Sequence, residues 1–138
     1  MILHIEKKAP VTAPNEKKVR SSIKLLRSYG PSSFATLVDD DGSYVQVAGG
    51  GVTCMLEWRD IQTGKHCRAY HDTPSKVFHD GTLLVFGGGS VPMEADEWFI
   101  ADKVTEVFLA FLNSMKFPDG VRWRDITSVI AEPLAKAT

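Results

Sequence analysis

Glu94, Asp96 and Glu97 place three carboxylates within four residues, and such pairs serve acid–base chemistry when burial drives their pKa values apart. Here Met93, Ala95 and Trp98 interleave with them and no basic residue lies in the stretch. That pattern predicts an exposed acidic loop beside an aromatic anchor, a surface suited to binding a partner. Asp39-Asp40-Asp41 and Asp80 add carboxylates at two glycine-containing turns. The candidates for binding a partner are therefore Asp39, Asp40, Asp41, Asp80, Glu94, Asp96, Glu97 and Trp98. Trp98 and Trp58 suit either an interface anchor or the core, and Trp123 suits the core.

Two other sets of residues suggest chemistry and fail on spacing. His66, Cys67 and His71, with Cys54 on a neighbouring strand, offer zinc-type ligands. They form neither a Cys-x-x-Cys nor a His-x-x-x-His pair, and an odd separation along a strand turns His66 and His71 to opposite sides. No metal is expected. Gly87-Gly88-Gly89-Ser90 lacks the Lys-Ser/Thr and the helix start of a phosphate loop, and the strand pattern is not that of a dinucleotide fold. No cofactor or catalytic group is expected, and the glycines read as turns or bulges.

The chain has 138 residues and a formal charge of −1, with 43% hydrophobic and 24% charged residues. These values fit one globular domain over 1–138 with its own core. No apolar run approaches the ~18 residues of a membrane span, and the first residues turn charged too soon for a secretory signal. Two cysteines do not demand a disulfide, so a reduced, cytoplasmic protein is expected. The small net charge conceals an asymmetry. Seven basic against two acidic residues give 1–29 a charge of +5, whereas four against eleven give 30–102 a charge of −7. An acidic body repels nucleic acid and attracts basic partners.

The elements that must position these groups follow from periodicity. Asn15 caps a helix whose apolar stripe is Val19, Ile23 and Leu26, extended by Tyr29 and closed at Gly30-Pro31. Residues before Val11 suit a short edge strand or a loose end. Strands are expected over 34–38, 44–47, 52–58, 66–70 and 82–86, separated by turns at Asp39–Gly42, Gln62–Lys65 and His79–Gly81 and by a break or bulge at Gly49–Gly51. On the strand containing Glu57, Cys54 and Leu56 face one way and Thr53, Met55 and Glu57 the other. A second amphipathic helix runs over 101–115 along Val104, Val107, Phe108, Phe111 and Met115, with Asp102 favouring its uncapped start. Pro118-Asp119-Gly120 turns into a short strand or docking segment at Val121–Trp123. The segment 128–138 suits a helical fragment or a frayed tail. Short turns between successive strands give an α+β fold: an antiparallel meander sheet packed by an N-terminal and a C-terminal amphipathic helix.

The stretch Gly87–Asp125 resembles the C-terminal half of a family of bacterial immunity proteins that protect cells against polymorphic toxins. The residues that carry the resemblance are Gly88-Gly89, the acidic link Glu94 to Glu97, Phe99-Ile100, the helix through Phe111, Pro118, and the triplet Val121-Arg122-Trp123. Lys116-Phe117 departs from the Gly-like or basic residue usual before the proline. The resemblance covers about the last third of the chain and implies a non-enzymatic inhibitor. Such a protein binds a cognate toxin, itself probing nucleic acid with a basic cleft, and occludes its active site. Nucleic acid and membrane are not expected as partners. Two other readings compete: a small-molecule-binding or enzymatic α+β domain, and an adaptor that engages a secreted effector without blocking it.

Overall fold

The computed structural model describes residues 1–128, so the expectation for 128–138 falls outside them except at Ser128. Along the chain lie β1 (Ile2–Ile5), β2 (Val11–Thr12), α1 (Glu16–Leu25), β3 (Phe34–Val38), β4 (Tyr44–Gly50), β5 (Thr53–Asp60) and β6 (Lys65–Tyr70). They are followed by β7 (Thr82–Phe86), β8 (Gly89–Met93), α2 (Ala101–Leu112) and β9 (Arg122–Asp125). Seven strands form one antiparallel sheet in the order β2-β1-β3-β4-β5-β6-β9, and β7 pairs with β8 in a separate hairpin. The fold is α+β, as the spacing of turns predicts.

Three layers result. Leu3, Leu37, Val45, Val47, Leu56 and Ala69 face the two helices, which contribute Val19, Ile23, Leu26, Val104, Val107 and Phe108 to the same core. Phe34, Ala48 and Met55 face the other way and pack under Leu84, Phe86, Met93 and Trp98 from the hairpin side. A sheet apolar on both faces has to be covered on both faces, and the hairpin is the second cover.

Asn15 caps α1 as expected, its side chain accepting from Lys18 N–H at 2.8 Å. The helix ends earlier than its stripe suggests. Leu26 takes an extended conformation to reach the core, and Tyr29 is 88% exposed. The reason lies at the tip of the β4–β5 hairpin. Any Cβ on Gly50 would collide with the backbone of Leu26 and Arg27, so the end of α1 rests directly on glycine. On the same tip, Gly51 C=O accepts from Ala101 N–H at 2.7 Å, which satisfies a first-turn donor of α2 that no side chain caps. Gly49–Gly51 is therefore a hairpin tip that seats both helices, where the sequence suggests a break.

Other differences are local. β1 lies inside the sheet, with the two-residue β2 outside it. β7 leaves the meander, and β8 is a strand where the sequence suggests a turn and link. α2 stops at Leu112, because Ser114 turns left-handed at φ 54° and leaves Met115 exposed. The chain entering α2 pairs with β5 through Cys54 and Phe99, where β6 does not reach. Trp58, Phe117 and Trp123 form one cluster with centroids 5.0–5.5 Å apart, Trp58 meeting the other two edge-on. Trp58 and Trp123 are thus packing residues, and Phe117 completes the cluster that ties the final turn to β5.

Truncating the fully buried Phe108 to Ala is expected to cost about 3–5 kcal/mol in urea unfolding. Gly50→Ala should cost about 1–3 kcal/mol through overpacking against α1, whereas Gly120→Ala, which meets open space, should leave the midpoint unchanged.

Candidate functional site

The hairpin register aligns a polar row across the sheet on the face away from the helices. His4 lies opposite Thr36, Thr36 opposite Gln46, Gln46 opposite Glu57, Glu57 opposite Arg68, and Arg68 opposite Arg124. Glu57 is only 2% exposed. Its Oε1 accepts from Gln46 Nε2 at 2.8 Å and lies 3.1 Å from His66 Nε2, while its Oε2 accepts from Arg68 Nε and a terminal guanidinium nitrogen at 3.0 and 2.8 Å. A carboxylate accepts only, so His66 carries a proton on Nε2. Burial alone would raise the Glu57 carboxyl, but the His66 hydrogen bond and the Arg68 charge outweigh it and hold the group below its ordinary range. Four donors fill the four lone-pair positions of Glu57 and leave none for a substrate.

Arg68 and Arg124 stand directly opposite on neighbouring strands, a like-charge pairing that repels. Glu97 resolves it. Its Oε2 accepts from Arg124 at 2.8 Å, and its Oε1 lies 3.6 Å from the Arg68 guanidinium. Asp96 takes another nitrogen of Arg124 at 3.0 Å, and the Arg124 guanidinium lies 4.4 Å over the Tyr70 ring. Glu97 Oε1 also accepts from Glu94 N–H at 2.8 Å. The loop 94–97 is thus fastened to the sheet by two arginines that need its carboxylates.

This geometry divides the sequence candidates. Glu97 is 3% exposed and engaged by both arginines, so it is a structural carboxylate and no part of an exposed loop. Trp98 is buried as well, stacked 4.5 Å from Phe78, and belongs to the core under the hairpin. Asp80, Glu94 and Asp96 come together with Pro74, Ala95 and Arg124 around an open depression of about 440 Å³. Asp80 accepts from Ala95 N–H at 2.7 Å, which holds its loop against the base of β8. The charge of Asp80 raises the Glu94 carboxyl above its ordinary range. Asp39 and Asp41 line a different depression, with Trp58, Asp60 and Phe117, at the sheet end. There Asp39 accepts from Asp40 N–H and Asp41 from Ser43 N–H, so these carboxylates build the β3–β4 turn. The Ser43 backbone bond holds the Asp41 carboxyl low.

Cys54 and Cys67 are free thiols on the helical face, and burial pushes Cys54 up to about 12. His66 is on the opposite face, engaged with Glu57, and His71 Nε2 lies 2.7 Å from Trp98 C=O, so these four residues do not converge. Among the described residues no helix is long and apolar enough to cross a membrane.

Sequence reading missed the row itself. Its signal is present: the tight β4–β5 and β5–β6 turns fix the register, and counting outward from them sets Gln46, Glu57 and Arg68 side by side. Arg124 was not accessible in this way, because β9 reaches β6 only after the hairpin and α2 have intervened. No family model, no curated protein and no solved structure matches the chain.

Removing one partner of the buried Glu57 cluster should be costly, so Glu57→Gln is expected to lose about 3–5 kcal/mol at neutral pH. A carboxyl held low in the folded state stabilises fully above its unfolded value and loses that contribution as pH falls through the folded one. Wild-type stability should therefore decline below about pH 4.5, the ordinary value for this group, and Glu57→Gln should flatten that decline in urea melts across the acid range.

Proposed function

We propose that this protein is a non-catalytic inhibitor that binds a basic cleft of a cognate protein toxin, as an immunity protein does, and acts in the cytoplasm. The observation that carries the reading is the uncompensated charge of Asp80 and Glu94. Arg68 and Arg124 are taken up by Glu57, Glu97 and Asp96, and no ion pair joins a cation to Asp80 or Glu94 among the described residues. Glu94 feels Asp80 more than it feels Arg124. A cation from outside relieves that repulsion, and a rigid backing lets it do so without ordering the loop first.

The charge also has a side. Asp80 and Glu94 lie in the hairpin layer, whereas Lys17, Arg20 and Lys24 of α1 lie in the helical layer across the sheet. A toxin that acts on nucleic acid holds a polyanion with arginine and lysine. An acidic depression competes for those cations, draws the partner in and excludes the substrate. The likeness of Gly87–Asp125 to immunity proteins supports the same reading, since Glu94, Asp96 and the Phe99-Ile100 segment belong to it.

The test is co-expression with the polypeptide of the adjacent gene, expected to be a toxin domain. A 1:1 complex of nanomolar or tighter affinity and loss of toxin activity are expected; a toxin that stays fully active in the presence of excess protein would overturn the reading. Asp80→Asn with Glu94→Gln keeps the Ala95 cap and removes the charge. This variant should slow association and flatten its dependence on salt, read by stopped flow between low and physiological ionic strength.

A further inference from the structure

The β7–β8 hairpin presents an apolar face that the fold does not use. Leu84, Phe86 and Met93 point inward and are buried, and Val91 packs against the same cluster. The alternate residues point outward: Leu83 opposite Pro92, and Val85 opposite Ser90. Leu83 is 56% and Val85 64% exposed. No charged residue occurs on either strand, which is unusual for an exposed hairpin, since charge on such edges is the common guard against unwanted pairing.

The face is held rigidly. At the turn, Gly87 N–H donates to Ser33 Oγ at 2.7 Å, while Ser33 N–H and Oγ–H both donate to Glu6 Oε1 at 2.7 Å. A Cβ on Gly87 would collide with that carboxylate, so glycine permits the contact. At the base, Gly81 N–H donates to Met93 C=O at 2.8 Å, and the Asp80 bond to Ala95 N–H closes the loop beside it. A free two-stranded hairpin is marginal in water, and this one is pinned at both ends.

We propose that the outward face of β7–β8 is the apolar centre of the toxin interface, with Asp80 and Glu94 as its charged rim. This rests on the immunity reading above and locates the contact within it. The occupant follows from charge complementarity. Both unneutralised carboxylates adjoin the base of the hairpin, so the surface that covers Leu83, Val85 and Pro92 carries an apolar anchor flanked by lysine or arginine. An interface of this make-up, apolar at the centre and polar at the rim, concentrates its affinity in the central residues. A second copy of this chain fits less well, because in a symmetric contact the patch is its own partner and its two strands carry no cation to meet the carboxylates.

The experiment measures the complex with the adjacent gene's toxin domain by calorimetry, together with hydrogen exchange of the wild-type protein free and bound. The double variant Leu83→Ser, Val85→Ser alters only outward side chains, so its urea midpoint should stay at the wild-type value while its Kd rises on the order of 30-fold or more. Amides of 82–93 should exchange more slowly in the wild-type complex, a readout that does not depend on the variant. Wild-type protein that forms no complex overturns the immunity reading and this proposal with it. A complex whose Kd is unmoved by the double variant and whose hairpin amides are unprotected overturns this proposal alone. Wild-type protein that sediments as a dimer, and a variant that sediments as a monomer, would assign the face to self-association and overturn it too.

Discussion

Two arginines stand side by side on neighbouring strands, and the arrangement of the hairpin side of the molecule depends on what keeps them there. Arg68 and Arg124 repel across the β6–β9 pairing, and Glu97 sits between them. Without that carboxylate the final strand would close on the sheet against a like-charge contact. With it, the loop 94–97 is drawn down onto the sheet, Trp98 is carried under the hairpin, and Phe99 reaches Cys54 to start α2 in register. One ion-pair bridge centred on the buried Glu97 thus ties together the edge of the sheet, the seat of the hairpin and the entry to the second helix.

The same bridge explains how carboxylates only one to three residues apart come to differ in role. Glu97 and Asp96 are neutralised by the arginines that they hold, whereas Glu94 is left beside Asp80 with its charge unrelieved. A run of acidic residues cannot supply this distinction by composition. It arises because the loop turns around Glu97, whose Oε1 also accepts the Glu94 N–H, so that Glu94 is turned to the surface as Glu97 is buried. Burial of an ion pair is weak evidence for stability as such, since desolvation offsets most of the attraction. Its consequence here is positional: it selects one placement of the loop.

Local chemistry was legible in the sequence wherever a single element decided the outcome. The Asn15 cap, the Val19–Ile23–Leu26 stripe, the 34–38 strand and the turning of Glu57 to the face opposite Cys54 and Leu56 need only neighbours within a turn or a strand. What was not legible is contact between distant segments. Tyr29 continues the helical stripe in sequence, but the close packing of Leu26 on Gly50 ends the helix before it. Glycines at 49–51 look like interruption and act as a platform for both helices. Glu97 looks like a residue of an exposed loop, and only the pairing of β9 with β6, more than fifty residues apart for Arg68 and Arg124, shows why it is inside. For Trp98 the sequence leaves interface and core open, and the hairpin that covers it decides for core.

The hairpin illustrates the remaining ambiguity of pattern. In β7 the run Thr82–Phe86 is apolar at four successive positions, which reads as a strand buried on both faces. In the structure it is buried on one face alone, so two of those apolar residues have no folding role. A folding requirement would accept threonine or lysine at Leu83 and Val85 without loss of core. On the proposal above, their place on a rigid, uncharged surface beside two unrelieved carboxylates serves contact with a partner. The acidic rim then governs encounter and orientation, because Coulombic attraction acts over a distance of about a Debye length, ~8 Å in physiological salt. The apolar centre governs dissociation, because its desolvation is lost only when the surfaces part. A surface divided in this way would capture a basic cleft quickly and release it slowly, which is what the proposed inhibitory role would demand.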